Sequence, residues 1–232
     1  MKKIFLISLV IIPWTIIGCN KNQSAKTIQN ENIHSLKELS NDHLITCEGI
    51  GKLKFSMSFE QILSTFGKES VKSDTFIYNP SENFGTILDT LDRIFTTVNT
   101  QQGKIHVKWN PGKKAKKIET LSILFSDAPK FQFANGIKVG STMEEFNKIN
   151  DNGIYEFYGF GWQFGGLLSQ KKSGKFFDEY PCLGEMTYFT PVKNTYEGFE
   201  NLMGDNIFSS NVVKKNQLKE IILYQIEIVN NQ

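Results

Sequence analysis

The chain has 232 residues, with 26 Lys or Arg against 24 Asp or Glu and a formal net charge of +2. That balance excludes the strongly basic face by which nucleic-acid-binding proteins are recognised. Nineteen Phe, seven Tyr and three Trp supply enough bulk for one large domain or two small ones with a real core.

Lys2 and Lys3 precede an apolar run from Ile4 to Ile17, and Gly18-Cys19 closes it. A basic start, an apolar middle and a small residue at the cleavage point predict a secretory signal over residues 1–18. The run is too short for a comfortable membrane-spanning helix. Ile16-Ile17-Gly18-Cys19 resembles the bacterial lipobox, which implies that Cys19 becomes a lipid-modified mature N-terminus. At about 0.8 kcal/mol per buried CH₂, a multi-acyl cysteine is a firm anchor. Asn20 stands where an aspartate would resemble an inner-membrane retention signal, so the outer membrane of a bacterial envelope is the expected address. Loss of Lys2 and Lys3 with the signal leaves the mature chain formally neutral.

Residues 19–44 are rich in Asn, Lys, Gln and Ser and are expected to form a flexible tether. Cys47 and Cys182 remain as a pair in an oxidising compartment, either as a disulfide or as two separate buried thiols. Neither belongs to a C-x-x-C motif, and no His/Cys cluster has zinc spacing, so no metal and no cofactor is expected.

Leu53 to Lys54 starts a short strand, and Ser58 with Gln61 has the spacing of a capping box before Phe59, Ile62, Leu63 and Phe66, which share one helical face. Gly67 is a natural stop. Phe84, Ile87, Leu88, Leu91 and Phe95 match helical spacing and predict an amphipathic helix over 81–95, with a strand from Arg93 to Val98 as the alternative. Lys104 to Trp109 alternates as a strand, Asn110-Pro111-Gly112 turns, and Ile118 to Phe125 returns. Ile137 to Gly140 then repeats the short strand, with Thr142 and Glu145 as a second capping box, 84 residues after the first. Tyr158, Phe160, Trp162 and Phe164 alternate with Gly159, Gly161 and Gln163, which predicts a strand with one aromatic face. Glu185 to Phe189 and Leu218 to Val229 complete the expected strands. The fold class is therefore α+β: a tandem repeat of strand-helix and antiparallel meander, helices on one face, with units at 45–130 and 131–232 or one continuous domain.

The two starts, Lys54 to Gln61 and Lys138 to Glu145, resemble the modules of the outer-membrane assembly lipoprotein BamE and of tandem-repeat beta-lactamase inhibitor proteins. Gly136 to Gly140 followed by Tyr158 to Gly166 resembles a group of envelope proteins from Bacteroidetes in which an acidic residue is expected where Gln163 stands. The resemblance implies lineage and fold, and Gln163 argues against a catalytic acid there.

His106 shares a strand face with Lys104 and Lys108 and reads as a solvated histidine; His34 and His43 fall in or near the tether. Asp89 and Asp92 beside Arg93, and the cluster Lys113, Lys114, Lys116 and Lys117, read as charged surface. No nucleophile elbow, metalloprotease helix, phosphate loop or calcium loop is present in the sequence. The aromatics at Tyr158, Phe160, Trp162 and Phe164 serve either as core or as an exposed docking surface. The expected function is a non-enzymatic, lipid-anchored module that binds another envelope protein. The alternatives are an envelope glycan binder or hydrolase, and an inhibitor or immunity protein.

Overall fold

A computed structural model describes residues 41–78, 91–111, 117–193 and 195–230. The signal, Cys19, His34, Phe84, Ile87, Leu88, Asp89, Lys113, Lys114 and Lys116 lie outside the described residues, as do the side chains of Asp92 and Arg93. Asn41–His43 form a 3-10 turn and Leu44 bridges to Gln132. Asn41 to Leu44, expected to end the tether, are instead bound into the fold: Ile45 donates to the Gln132 carbonyl at 2.8 Å and Gln132 donates to that of His43 at 2.9 Å.

Strands β1 (Ile45–Thr46), β2 (Gly49–Ile50) and β3 (Leu53–Lys54) make a small antiparallel sheet with Ile45, Ile50 and Leu53 buried. Helix α1 (Phe59–Phe66) begins in a complete capping box, Gln61 N–H to Ser58 Oγ and Ser58 N–H to Gln61 Oε1, and ends at Gly67 with φ 84°. Strands β4 (Val71–Tyr78), β5 (Leu91–Thr100), β6 (Gly103–Trp109) and β7 (Ile118–Leu124) follow as an antiparallel meander. The helix expected to run to Phe95 is overturned at its C-terminal end, where Leu91 and Phe95 belong to β5. The run Ile94, Thr96, Thr97 and Val98 is rich in β-branched residues, and ladders on both sides of β5 satisfy its backbone.

Helix α2 (Met143–Ile149) opens in the second capping box, with Thr142 and Glu145 exchanging the same two bonds. The segment before it is not the expected strand: Ile137 to Gly140 turns, closed by Ser141 N–H to the Lys138 carbonyl at 3.0 Å, with Gly140 at φ 88°. The two starts share a capped helix and differ in what precedes it. Next come β8 (Tyr155–Tyr158), β9 (Leu168–Lys172), α3 (Lys175–Glu179), β10 (Tyr188–Pro191), β11 (Ile207–Ser209) and β12 (Ile221–Val229).

The architecture is α+β, mostly antiparallel sheet with few helices. The largest sheet has the order β10-β12-β7-β6-β5-β4, and a second has β11-β8-β9. Strands from both expected halves lie side by side in the large sheet, because β12 pairs with β7 over Gln225 to Val229. On its inner face α1 packs against β4 and β5, and α2 against β12. Trp109 is fully buried there, donates to Thr96 Oγ1 at 2.9 Å, and meets Phe59 edge-on. Phe146 is the hub of an aromatic core with Tyr155, Phe176 and Phe189, at ring separations of 4.7 to 5.4 Å. Asn150 ties α2 to α3: its amide donates to the Gly153 and Ser173 carbonyls and its oxygen accepts from Phe176 N–H. Cys47 and Cys182 form a disulfide, with sulfurs 2.03 Å and Cα atoms 5.4 Å apart. It joins the turn after β1 to the loop that leads into β10.

Candidate functional site

The site starts from a break in strand pairing. Tyr188 of β10 pairs with Gln225 of β12, but the next residue, Phe189, pairs with Leu223, so Tyr224 is the extra residue of a bulge. Alternation flips across it. Ile226 and Ile228 point into the core on one side, and Leu223 and Ile221 do so on the other. Tyr224 and Gln225 are left together on the outer face. Tyr224 stacks on Tyr188 at 5.3 Å and meets Phe125 at 6.1 Å.

The opposite wall comes from the loop after β8, and here the expected aromatic strand is corrected. Tyr158 ends β8, and Gly161 (φ 87°) and Gly166 (φ 80°) fold the following residues into a turn, because both occupy a conformation that glycine alone adopts cheaply. The four aromatics consequently do not share a face. Phe160 is buried, bridged to Met203; Tyr158 is half-buried; Trp162 and Phe164 are 36% and 43% exposed. The loop is held tightly. Gly166 N–H donates to the Tyr158 carbonyl at 2.7 Å, its carbonyl accepts from Phe189 N–H at 3.0 Å, and Trp162 Nε1–H donates to the Gly159 carbonyl at 2.8 Å. With its N–H engaged internally, the Trp162 indole offers its ring, which Phe164 braces edge-on at 5.2 Å.

Between these walls lies an open cleft of about 660 Å³, within the size range of small-ligand sites. Met186, Val192 and Tyr196 form its rim, each more than a third exposed, so several of the exposed large hydrophobic residues gather at one place. Among the described residues, none that lines it is charged. Its polar groups are the Gln163 and Gln225 amides, the Thr190 hydroxyl and the tyrosine phenols. Burial, then the neighbouring Tyr224, pushes the Tyr188 phenol above its usual range, so it stays a neutral donor and acceptor. Neither amide is hydrogen-bonded to another side chain or backbone group among the described residues.

Further along the outer face, β6 and β7 carry ion pairs. His106 Nε2 and Lys104 Nζ both reach the Asp127 carboxylate, at 2.8 Å each. Burial raises the Asp127 carboxyl, but the bonds from Lys104 and His106 prevail and hold it below the usual carboxylate range. His106 is therefore not simply solvated; its partner lies 21 residues further along the chain. Its other ring nitrogen faces Thr97 Oγ1 at 3.5 Å. Carboxylate, imidazole and hydroxyl stand in the order of a nucleophilic triad. The 3.5 Å contact is at the outer limit of a hydrogen bond, however, and Lys104 shares the carboxylate. Lys108 pairs with Glu119. Glu227, two residues from Gln225, is 7% exposed; burial pushes its carboxyl up, against bonds from Met186 N–H and Thr120.

Of the residues singled out in the sequence, the structure brings Trp162 to the cleft, sets Phe164 against it outside the lining, and puts Phe160 in the core. Cys47 and Cys182 are joined to each other away from the lining. Sequence reasoning missed Tyr188, Tyr224, Gln225 and Asp127. Tyr224-Gln225, a polar pair inside the apolar run Ile221 to Ile228, is the signal that marks the bulge. Among the described residues no group of three or more His, Cys, Asp or Glu is arranged to hold a metal, and no helix is long and apolar enough to cross a membrane. Comparison with protein-family models, with curated proteins and with solved structures finds no match to this chain.

Proposed function

We propose that this chain is a lipid-anchored binding protein of a bacterial envelope, most simply at the outer membrane, and that the cleft between the Trp162 loop and the Tyr188–Tyr224 pair is its recognition surface. One observation carries this reading: aromatic rings, exposed apolar rim and unpaired amides converge on a cleft that a bulge and two left-handed glycines hold in shape. Such investment in a concave, pre-formed surface is the signature of a ligand site. The described lining consists of rings, amides, hydroxyls and apolar side chains, which supports recognition of a ligand. The Ile16 to Cys19 sequence supports the anchor. The paired capping boxes of α1 and α2 support an origin of the fold by duplication, which would ally it with the BamE-like modules.

The sequence puts a protein partner first and a glycan second; the neutral, ring-lined cleft favours the glycan. Two measurements test the reading. Detergent-phase partitioning of the expressed protein should be lost in Cys19→Ala; if the variant partitions like the parent, the anchor is wrong. Whatever is retained by the immobilised full chain from solubilised envelopes should be lost with Trp162→Ala at unchanged melting temperature. Retention that ignores Trp162 and Tyr224 rejects the cleft.

A further inference from the structure

We infer that the ligand of the cleft is an uncharged oligosaccharide segment of an envelope or extracellular glycan. The inference rests on the cleft being the recognition surface and adds the chemical class of what it holds. Three features select that class.

The first is charge. The chain is 22% charged, yet among the described residues no Asp, Glu, Lys, Arg or His lines the cleft. Phosphate, carboxylate and ammonium ligands are recognised through opposite charge or dense one-sided donors, and neither is offered. The second is the kind of polar group. Gln163 and Gln225 amides and the Tyr188 phenol each donate and accept, and so match hydroxyls, which do the same. The third is ring presentation. Trp162 has its N–H tied to Gly159, and Tyr188 and Tyr224 are stacked together. These rings offer surfaces to the C–H faces of sugar rings, the contact to which a large rigid amphipathic side chain is suited.

An extended peptide is the main competitor, and the strand beside the cleft is poorly fitted for one. Peptide addition to a sheet edge needs free outward N–H groups. On β10 the Phe189 N–H is already given to the Gly166 carbonyl, and Pro191, the next position on that side, has none.

The test uses the full-length lipidated protein in detergent, titrated by calorimetry and tryptophan fluorescence. The probes are neutral cellohexaose, maltohexaose, mannohexaose and chitohexaose, with oligogalacturonate as the anionic control. At least one neutral oligosaccharide should bind with an affinity that is unchanged between low and high salt. Trp162→Ala and Tyr224→Ala should each weaken it about tenfold or more, as loss of a stacking ring does; Trp162→Phe should keep part of it, and Gln225→Ala should cost less. Circular dichroism of each variant checks that the fold is intact. Preference for oligogalacturonate, or binding that salt abolishes, overturns the inference. If every oligosaccharide fails while a protein co-purifies in a Trp162-dependent way, the ligand class is wrong and the cleft stands. If nothing depends on Trp162 or Tyr224, both fall.

Discussion

The outer face of the six-stranded sheet carries two chemistries. Toward β6 and β7, charges answer one another: Lys104 and His106 share Asp127, and Lys108 holds Glu119. Toward β10 and β12, the side chains are aromatic or neutral amides, and the amides have no partner among the described residues. An ion-paired surface has already exchanged water for its own partners and gains little from a ligand. A neutral, ring-lined surface keeps both its hydration and its stacking faces available. Glu227 stands at the seam, across from Ser122 on β7 and beneath the Gly184 to Met186 loop whose far end enters the cleft.

The largest way to disturb this arrangement is to open the disulfide. Cys182 precedes that loop, and the bridge spans 135 residues, a span for which chain entropy assigns about 4–5 kcal/mol. Cys47→Ser with Cys182→Ser should lose that much in chemical denaturation, and reductant should leave the double variant unchanged. A loss below 1 kcal/mol would mean the loop is held by its hydrogen bonds alone. Gly166→Ala acts on the aromatic end only. A Cβ there would collide with the Phe189 carbonyl oxygen at a φ of 80°, so a loss of about 2–3 kcal/mol is expected. The cleft's ligand should be lost with it, and full retention would show the loop conformation to be dispensable.

The two ends should also respond to pH with opposite signs. The Asp127 carboxyl is lowered in the fold, so its contribution is complete above the unfolded value near 3.9 and is lost as pH falls below about 4. The Glu227 carboxyl is raised, so the folded state holds its proton longer. Its contribution is complete below about 4.3 and is lost as pH rises toward the folded value. Glu227→Gln should accordingly stabilise by roughly 1 kcal/mol at pH 7 and by nothing at pH 3.5, provided the Gln oxygen keeps the Met186 N–H. Equal effects at both pH values would remove the buried-carboxylate explanation. Asp127→Ala has the smallest expected effect, about 0.5 kcal/mol at neutral pH and less at high salt. Urea melts at two ionic strengths decide it, and a salt-independent loss would make Asp127 a packing residue.

Much of the local structure was legible. Ser58 with Gln61 and Thr142 with Glu145 fixed two helix starts, because a capping box needs only residues three positions apart. Ile105, Val107 and Trp109 announced β6 by alternation, and all three are buried. Leu91 and Phe95 misled because apolar residues four apart fit a helix as well as two positions of one strand face; only ladders on both sides of β5 decide between them. Tyr158 to Phe164 misled for a different reason. Alternation was real, but Gly161 and Gly166 at positive φ turned the backbone before the pattern could build a face.

The sequence by itself determined the capped helices and the alternating strand β6, since each depends on residues within a few positions of one another, and its aromatic-rich composition supplied the rings from which a binding surface can be made. Only the tertiary structure decided that Tyr224 bulges outward beside Tyr188, that Trp162 faces them, that Asp127 finds His106, and that Cys47 meets Cys182. Those outcomes depend on the register between strands far apart in the chain. A shift of one residue there exchanges the two faces of a strand, and no local pattern records which register the packed core selects.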